Sequence, residues 1–272
     1  MKLSFSTLGD PNLSLEGALE LAKRFSLDGV EIRGLGGQLD NRKIEAFQKA
    51  ALRETRNKLE QYGMTIPVLG TSCAFHSEAN RQAALEEGKG ALEICGELGI
   101  PYLRVFGDAL GGDWEDGVSR VSRGIEKLCQ LAEGYPVEIL LEVHGDFNTL
   151  ETVGSVLDAL EHCSQFGILW DLEHSDRVYG DSWEPFYRRI ASKVKHVHIK
   201  DALRKQDPER TTDLVLPGRG DVPIKQIVQR LEEDGYAGYY SLEWEKHWVP
   251  QLEPLETALE CFVDEMKNAD CC

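Results

Sequence analysis

The feature that most constrains this chain is an alternation. Short runs rich in β-branched and aliphatic residues recur along its length: Leu3–Phe5, Gly29–Ile32, Thr65–Leu69, Tyr102–Phe106, Val137–Val143, Phe166–Trp170, Val194–Ile199 and Tyr239–Leu242. Between them the apolar period changes. Leu15, Ala18, Leu19, Ala22 and Phe25 share one helical face, as do Ala84, Ala91, Leu92, Cys95 and Leu98. Leu52, Leu59 and Tyr62 mark another such face, and Ile224, Ile227, Val228 and Leu231 a later one. Ser14 and Thr149 stand where helix N-caps belong, and Gly63, Gly99 and Gly235 where helices stop. A strand followed by a helix, eight times over, calls for a parallel sheet.

The length decides how that sheet closes. A (β/α)8 barrel takes about 250 residues, and this chain has 272. We therefore expect an α/β fold, a single (β/α)8 TIM barrel domain over residues 1–272 with a parallel eight-stranded core. An open, doubly wound sheet usually carries a Gly-rich first turn. Here the first strand runs into Ser6-Thr7-Leu8-Gly9-Asp10, without GxGxxG. The longest stretch with no regular pattern is Ala202–Asp221, and an irregular loop of that length is often functional.

Composition narrows the partners. The net charge of −17 would repel a phosphate backbone over most of the surface, so no nucleic-acid partner is expected. Seven scattered cysteines include no CxxC pair, which fits reduced thiols in a cytoplasmic protein. The adjacent Cys271 and Cys272 are expected to fray. No apolar run is long enough to span a bilayer and no cationic leader opens the sequence, so no membrane association is expected.

Barrel enzymes carry their chemistry at the C-terminal ends of strands. The fifth run ends Leu141-Glu142-Val143-His144, and the sixth Trp170-Asp171-Leu172-Glu173-His174. The seventh reads His196-Val197-His198-Ile199-Lys200-Asp201, and the eighth Ser241-Leu242-Glu243-Trp244-Glu245. Three carboxylates and an imidazole converging on one mouth would repel one another without a cation among them. A mixed oxygen and nitrogen set without thiolates suits Mn²⁺, Mg²⁺, Co²⁺ or Zn²⁺. Glu31 and Arg33, at the end of the second run, read as a salt-bridged rim, and Glu245 as either a contact to a ligand residue or a solvated side chain.

These motifs, with Gly218-Arg219-Gly220-Asp221, resemble the xylose isomerase-like TIM barrel superfamily in its sugar isomerase/epimerase branch. The resemblance covers nearly the whole chain. It implies that Glu142, Asp171, His198 and Glu243 bind one divalent metal ion. It also implies substrate contacts for His174, Arg204, His144 and Lys200. The substrate would be a small sugar or polyol-ketone. Glu142 and Glu243 would act as the catalytic pair, moving a proton through a metal-stabilised enediolate. Epimerisation, aldose–ketose isomerisation and dehydration of an inosose or dehydroshikimate-like substrate share that chemistry and stay open. Dimers and tetramers are common in the family, which leaves a homo-oligomer open. Endonuclease IV-type nucleases share the barrel but need further histidines, and Arg104-Val105-Phe106-Gly107-Asp108 has none. A barrel that only binds sugar would have little need of all four ligands.

Overall fold

The computed structural model describes residues 1–205 and 211–270. Cys271 and Cys272 lie outside the described residues. In chain order the elements are β1 (Lys2–Ser6), α1 (Leu15–Arg24), β2 (Gly29–Glu31), α2 (Leu52–Tyr62), β3 (Val68–Ala74), α3 (Glu78–Leu98) and β4 (Tyr102–Phe106). Then come α4 (Trp114–Ala132), β5 (Glu138–Glu142), α5 (Leu150–Ala159), β6 (Phe166–Asp171), α6 (Leu172–Tyr179), α7 (Glu184–Ile190) and β7 (Val194–Ile199). The chain closes with β8 (Asp201–Arg204), β9 (Thr212–Val215), α8 (Ile224–Glu233), β10 (Tyr239–Leu242) and α9 (Leu255–Asp270).

Eight parallel strands form one sheet in the order β2-β1-β10-β7-β6-β5-β4-β3. Parallel bridges Gly29–Thr65 and Ile32–Leu69 join its two ends, so the sheet curls into the expected (β/α)8 barrel. The helix signals hold in detail. Ser14 accepts a hydrogen bond from the Gly17 amide and Thr149 one from Thr152. Gly63 and Gly99 end α2 and α3 with φ of 65° and 70°, a left-handed turn that costs glycine little.

Two local expectations are corrected. The third strand starts at Val68 rather than Thr65 and runs on to Ala74. Pro67 has no amide hydrogen to give, and the later half lies at the polar mouth, where the apolar signal fades. The stretch after the seventh strand is not irregular throughout. Asp201–Arg204 pairs antiparallel with Thr212–Val215 as a hairpin arm. The Asp201 carboxylate fastens its base by accepting from the amides of Ala202 and Gly220, at 2.9 and 2.8 Å.

Paired residues of parallel strands share a face, so the register separates two interiors. Outward residues such as Phe5, Val30, Leu103, Ile139, Leu141, Ile168, Trp170, Val197 and Leu242 pack under the helices in one large core. The lumen holds a separate, small apolar floor of Val68, Leu140 and Leu169, with Tyr102 against it. Leu140 and Leu169 lie two residues below Glu142 and Asp171, so the floor sits directly beneath the charged layer. The described cysteines are free thiols, with Cys73, Cys95 and Cys129 buried.

Truncating that floor tests its weight. Leu169→Ala is expected to lower unfolding free energy by about 2–5 kcal/mol, read by urea denaturation. A loss well under about 1 kcal/mol would mean that the lumen collapses freely around the gap.

Candidate metal centre

Glu142 and Asp171 are the last residues of β5 and β6, His198 is one short of the end of β7, and Glu243 follows β10 at once. Period-two alternation aims all four into the lumen. Each offers one donor atom, and the four atoms lie within 4.8 Å of one another. All four side chains are buried. His198 is the hub. Its Nδ1 stands 3.2 Å from Glu142 Oε1, 3.3 Å from Glu243 Oε2 and 3.7 Å from Asp171 Oδ2. Asp171 divides its oxygens: Oδ1 accepts from the His174 amide and caps α6 at 3.0 Å, while Oδ2 faces the cluster.

Two cations share the layer. Lys200 Nζ lies 2.8 Å from Asp171 Oδ2, 2.7 Å from Glu243 Oε2 and 2.6 Å from Glu245 Oε1. Arg104 Nε lies 3.1 Å from Glu142 Oε2. That pair is close in charge yet poorly aimed, so Arg104 Nε and Glu142 Oε2 both lack a directed hydrogen bond, as does Asp171 Oδ2. Buried carboxylate oxygens without a directed donor, beside an imidazole nitrogen, form a donor set that fits one divalent ion.

The electrostatics follow from burial and pairing. Burial would raise the Glu142 carboxyl, but Arg104 and His198 outweigh it and hold it below the ordinary glutamate value. For Glu243, burial is outweighed by His198 and Lys200, and the carboxyl is held well below that value. Burial would also lower His198, yet Glu243 and Glu31 raise it well above an ordinary histidine. Lys200 is driven up by Asp171 and Glu243 against its burial. His174 goes the other way: burial and the nearby Lys200 push it well below the histidine value, so its ring is neutral.

The expected substrate residues fall into two groups. Lys200 joins the cluster, and His174 borders it on the first turn of α6. His144 packs against His174 at 4.0 Å between ring centroids with the planes tilted by 48°, and Phe106 lies against it at 4.9 Å. Arg204, by contrast, is held at the hairpin by Asp176 (2.7 Å) and Asp181 (3.1 Å), apart from the four-residue cluster.

Sequence reasoning missed several members. Glu31 is not a rim residue: it is fully buried, and its carboxylate meets His196 Nε2 at 2.9 Å and His198 Nε2 at 2.9 Å. Arg33 is buried too, its guanidinium brought down to about 10 by burial and by Arg104. His196 lies two residues before His198 on one strand, so the alternation that aims His198 inward should have flagged it. Arg104 gave no such signal, because its partner is a residue of the next strand. Glu245 is the partner of Lys200 rather than a solvated side chain.

With this geometry the chain can be set beside known proteins. Residues 19–265 match the model of the xylose isomerase-like TIM barrel family. The chain belongs to that family. Fructoselysine 3-epimerase of Escherichia coli O157:H7 is 21% identical over 257 residues, covering 89% of this chain and 90% of that protein. The inosose isomerase of Halalkalibacterium halodurans is 25% identical over 280 residues, covering 97% and 96%. Among solved structures, the IOLI protein with a bound zinc atom superposes with a TM-score of 0.76 at 21% identity, over 99% of this chain and 96% of that one. Among the described residues, no helix is long and apolar enough to cross a membrane.

Two outcomes follow for the chelator-treated protein. Arg104→Met leaves Glu142 buried without its arginine and is expected to cost about 3–5 kcal/mol at pH 7 in urea denaturation. The loss should shrink on acidification, as Glu142 takes up a proton and no longer needs a counter-charge. In the wild type, Glu142 and Glu243 titrate below their unfolded value of 4.5, so the unfolded chain binds protons first as pH falls. Their contribution is full above that pH and declines below it. His198 and Lys200, raised on folding, contribute below their unfolded values of 6.5 and 10.5 and lose that contribution only at higher pH. A urea midpoint that rises steadily from pH 5 to pH 3 would contradict this reading of the carboxylates.

Proposed function

We propose that the chain is a divalent-metal-dependent sugar or polyol-ketone isomerase or epimerase, with Glu142, Asp171, His198 and Glu243 as ligands of one ion. The observation that carries this is the convergence of three buried carboxylates on one imidazole nitrogen at four neighbouring strand ends. Family membership and the epimerase and isomerase relatives support the same reading.

A divalent ion bound there would supply Lewis acidity, easing removal of a proton next to a substrate carbonyl. The chain's own groups do the rest. Glu142 and Glu243 enter the mouth from β5 and from the end of β10, three strands apart around the barrel. Arg104 and Lys200 keep them ionised, so each begins as a base able to take a proton from carbon. One glutamate removes the proton beside the carbonyl to give the enediolate; the other takes up a proton from solvent and delivers it to carbon, or the first returns the proton it removed, and exchange with solvent resets both carboxylates. Return to the same carbon from the opposite face is epimerisation, and return to the neighbouring carbon is isomerisation. His174, neutral and buried, offers a hydrogen bond to a substrate oxygen without adding charge. His144 and Phe106, tilted against each other, offer aromatic surface for the apolar face of a sugar ring or chain.

The test is α-proton exchange in deuterated water, followed by NMR over a panel of ketoses, inososes and keto acids with added Mn²⁺. At least one substrate should exchange with the wild type, and Glu142→Gln and Glu243→Gln should each slow it by at least ~100-fold. Full exchange in both variants would sink the two-carboxylate mechanism. Loss of a β-hydroxyl from the exchanging substrate would make the enzyme a dehydratase. Elemental analysis should find one metal ion per chain, whereas three would point to the nuclease branch of the fold.

A further inference from the structure

We propose that Glu31 is a positioning residue for the metal centre: it holds the proton of His198 on Nε2 and so leaves the Nδ1 lone pair for the ion. The inference rests on the reading of His198 as a metal ligand. It begins from an arrangement that the four ligands do not require. Beneath them, on the far side of the His198 ring, the Glu31 carboxylate lies with both oxygens near His198 Nε2, at 2.9 and 3.1 Å. Its Oε2 also meets His196 Nε2 at 2.9 Å. All three side chains are fully buried.

A neutral imidazole has one N–H and one lone pair, and an ionised carboxylate accepts but cannot donate. Glu31 therefore demands a proton on the nitrogen that faces it. For His198 that nitrogen is Nε2, so the proton given up when an ion binds is the one on Nδ1, which faces Glu142, Asp171 and Glu243. A bare nitrogen facing three carboxylates is tolerable only with a cation between them. The second imidazole completes the clamp. His196 donates from Nε2 to Glu31, while its own Nδ1 is buried with no partner. That contact fixes the Glu31 carboxylate in place and stops the His198 ring from turning. The ring planes of His196 and His198 stand at 82°, so the two N–H groups reach the carboxylate from different directions.

A rival account puts a second ion among Glu31, His196 and His198, whose donor atoms also lie within 4.8 Å of one another. His198 would then serve two ions and have to shed both ring protons. A single ion with Glu31 as acceptor leaves the ring neutral, which is the usual way a buried carboxylate orients a ligating histidine.

The experiment compares wild type with Glu31→Gln. The amide replaces one accepting oxygen with an NH2 group, which donates where the carboxylate accepted and so favours a lone pair over a proton on the ring nitrogen it faces. Zn²⁺ affinity, measured by competition with a chromophoric chelator, is expected to fall about 10- to 100-fold. Thermal melting of both metal-free proteins checks that the fold is kept. Should the variant not fold, ¹⁵N NMR of zinc-loaded wild type still decides. His198 is expected to show a metal-bound Nδ1 and a protonated Nε2. Unchanged Zn²⁺ affinity in a folded variant, zinc on Nε2, or two zinc ions per wild-type chain would each overturn the inference while leaving Glu142, Asp171 and Glu243 as ligands. A wild type that binds no zinc, manganese, cobalt or magnesium would instead overturn the metal reading, and this inference with it.

Discussion

Everything at the mouth of this barrel depends on the pairing of buried charge. Taking one carboxylate out of water without a partner costs several kcal/mol, and this lumen buries a layer of Glu142, Asp171 and Glu243, with Glu31 on the far side of His198. Such a layer persists only if each oxygen meets a cation or a donor. Arg104, His198 and Lys200 supply much of that, the first from β4 and the other two from the end of β7. Even glycine placement serves it. A Cβ on Gly70 would sit 2.9 Å from an Arg104 guanidinium nitrogen and 3.0 Å from Arg33 Cδ, so the bare backbone there makes room for two arginines.

The layer is mechanically joined to the frame around it. Asp171 caps α6 with one oxygen and faces His198 and Lys200 with the other, so the helix that carries His174 also sets the rotamer of a site carboxylate. Arg204 spans from the hairpin to Asp176 on α6 and accordingly anchors the arm at the same helix. The large core under the helices is apolar and separate from the lumen floor. Stability of the fold and chemistry of the mouth are thus supplied by different sets of side chains on opposite faces of the same strands.

Much of the frame was legible before folding. Strand positions, helix caps at Ser14 and Thr149, and the left-handed stops at Gly63 and Gly99 follow from local rules, since each depends on neighbours a few residues away. The four residues Glu142, Asp171, His198 and Glu243 were legible for a related reason: each lies at or next to the end of its own apolar strand, and barrel geometry brings strand ends together. The start of the third strand was not, because its second half carries little apolar signal. The hairpin after the seventh strand was hidden by its short, mixed strands.

What the sequence determined by itself is the periodic skeleton and the ring of strand-end groups, because both are written in spacings of two to four residues along one element. What only the tertiary structure decided is who meets whom across the barrel. Glu31 beneath His198, Arg104 beside Glu142, Lys200 between Asp171 and Glu243, and Arg204 drawn to Asp176 are contacts between groups far apart in the chain or on different strands. Their partners are chosen by strand register and by the need to neutralise buried charge. Neither is visible until the sheet has closed.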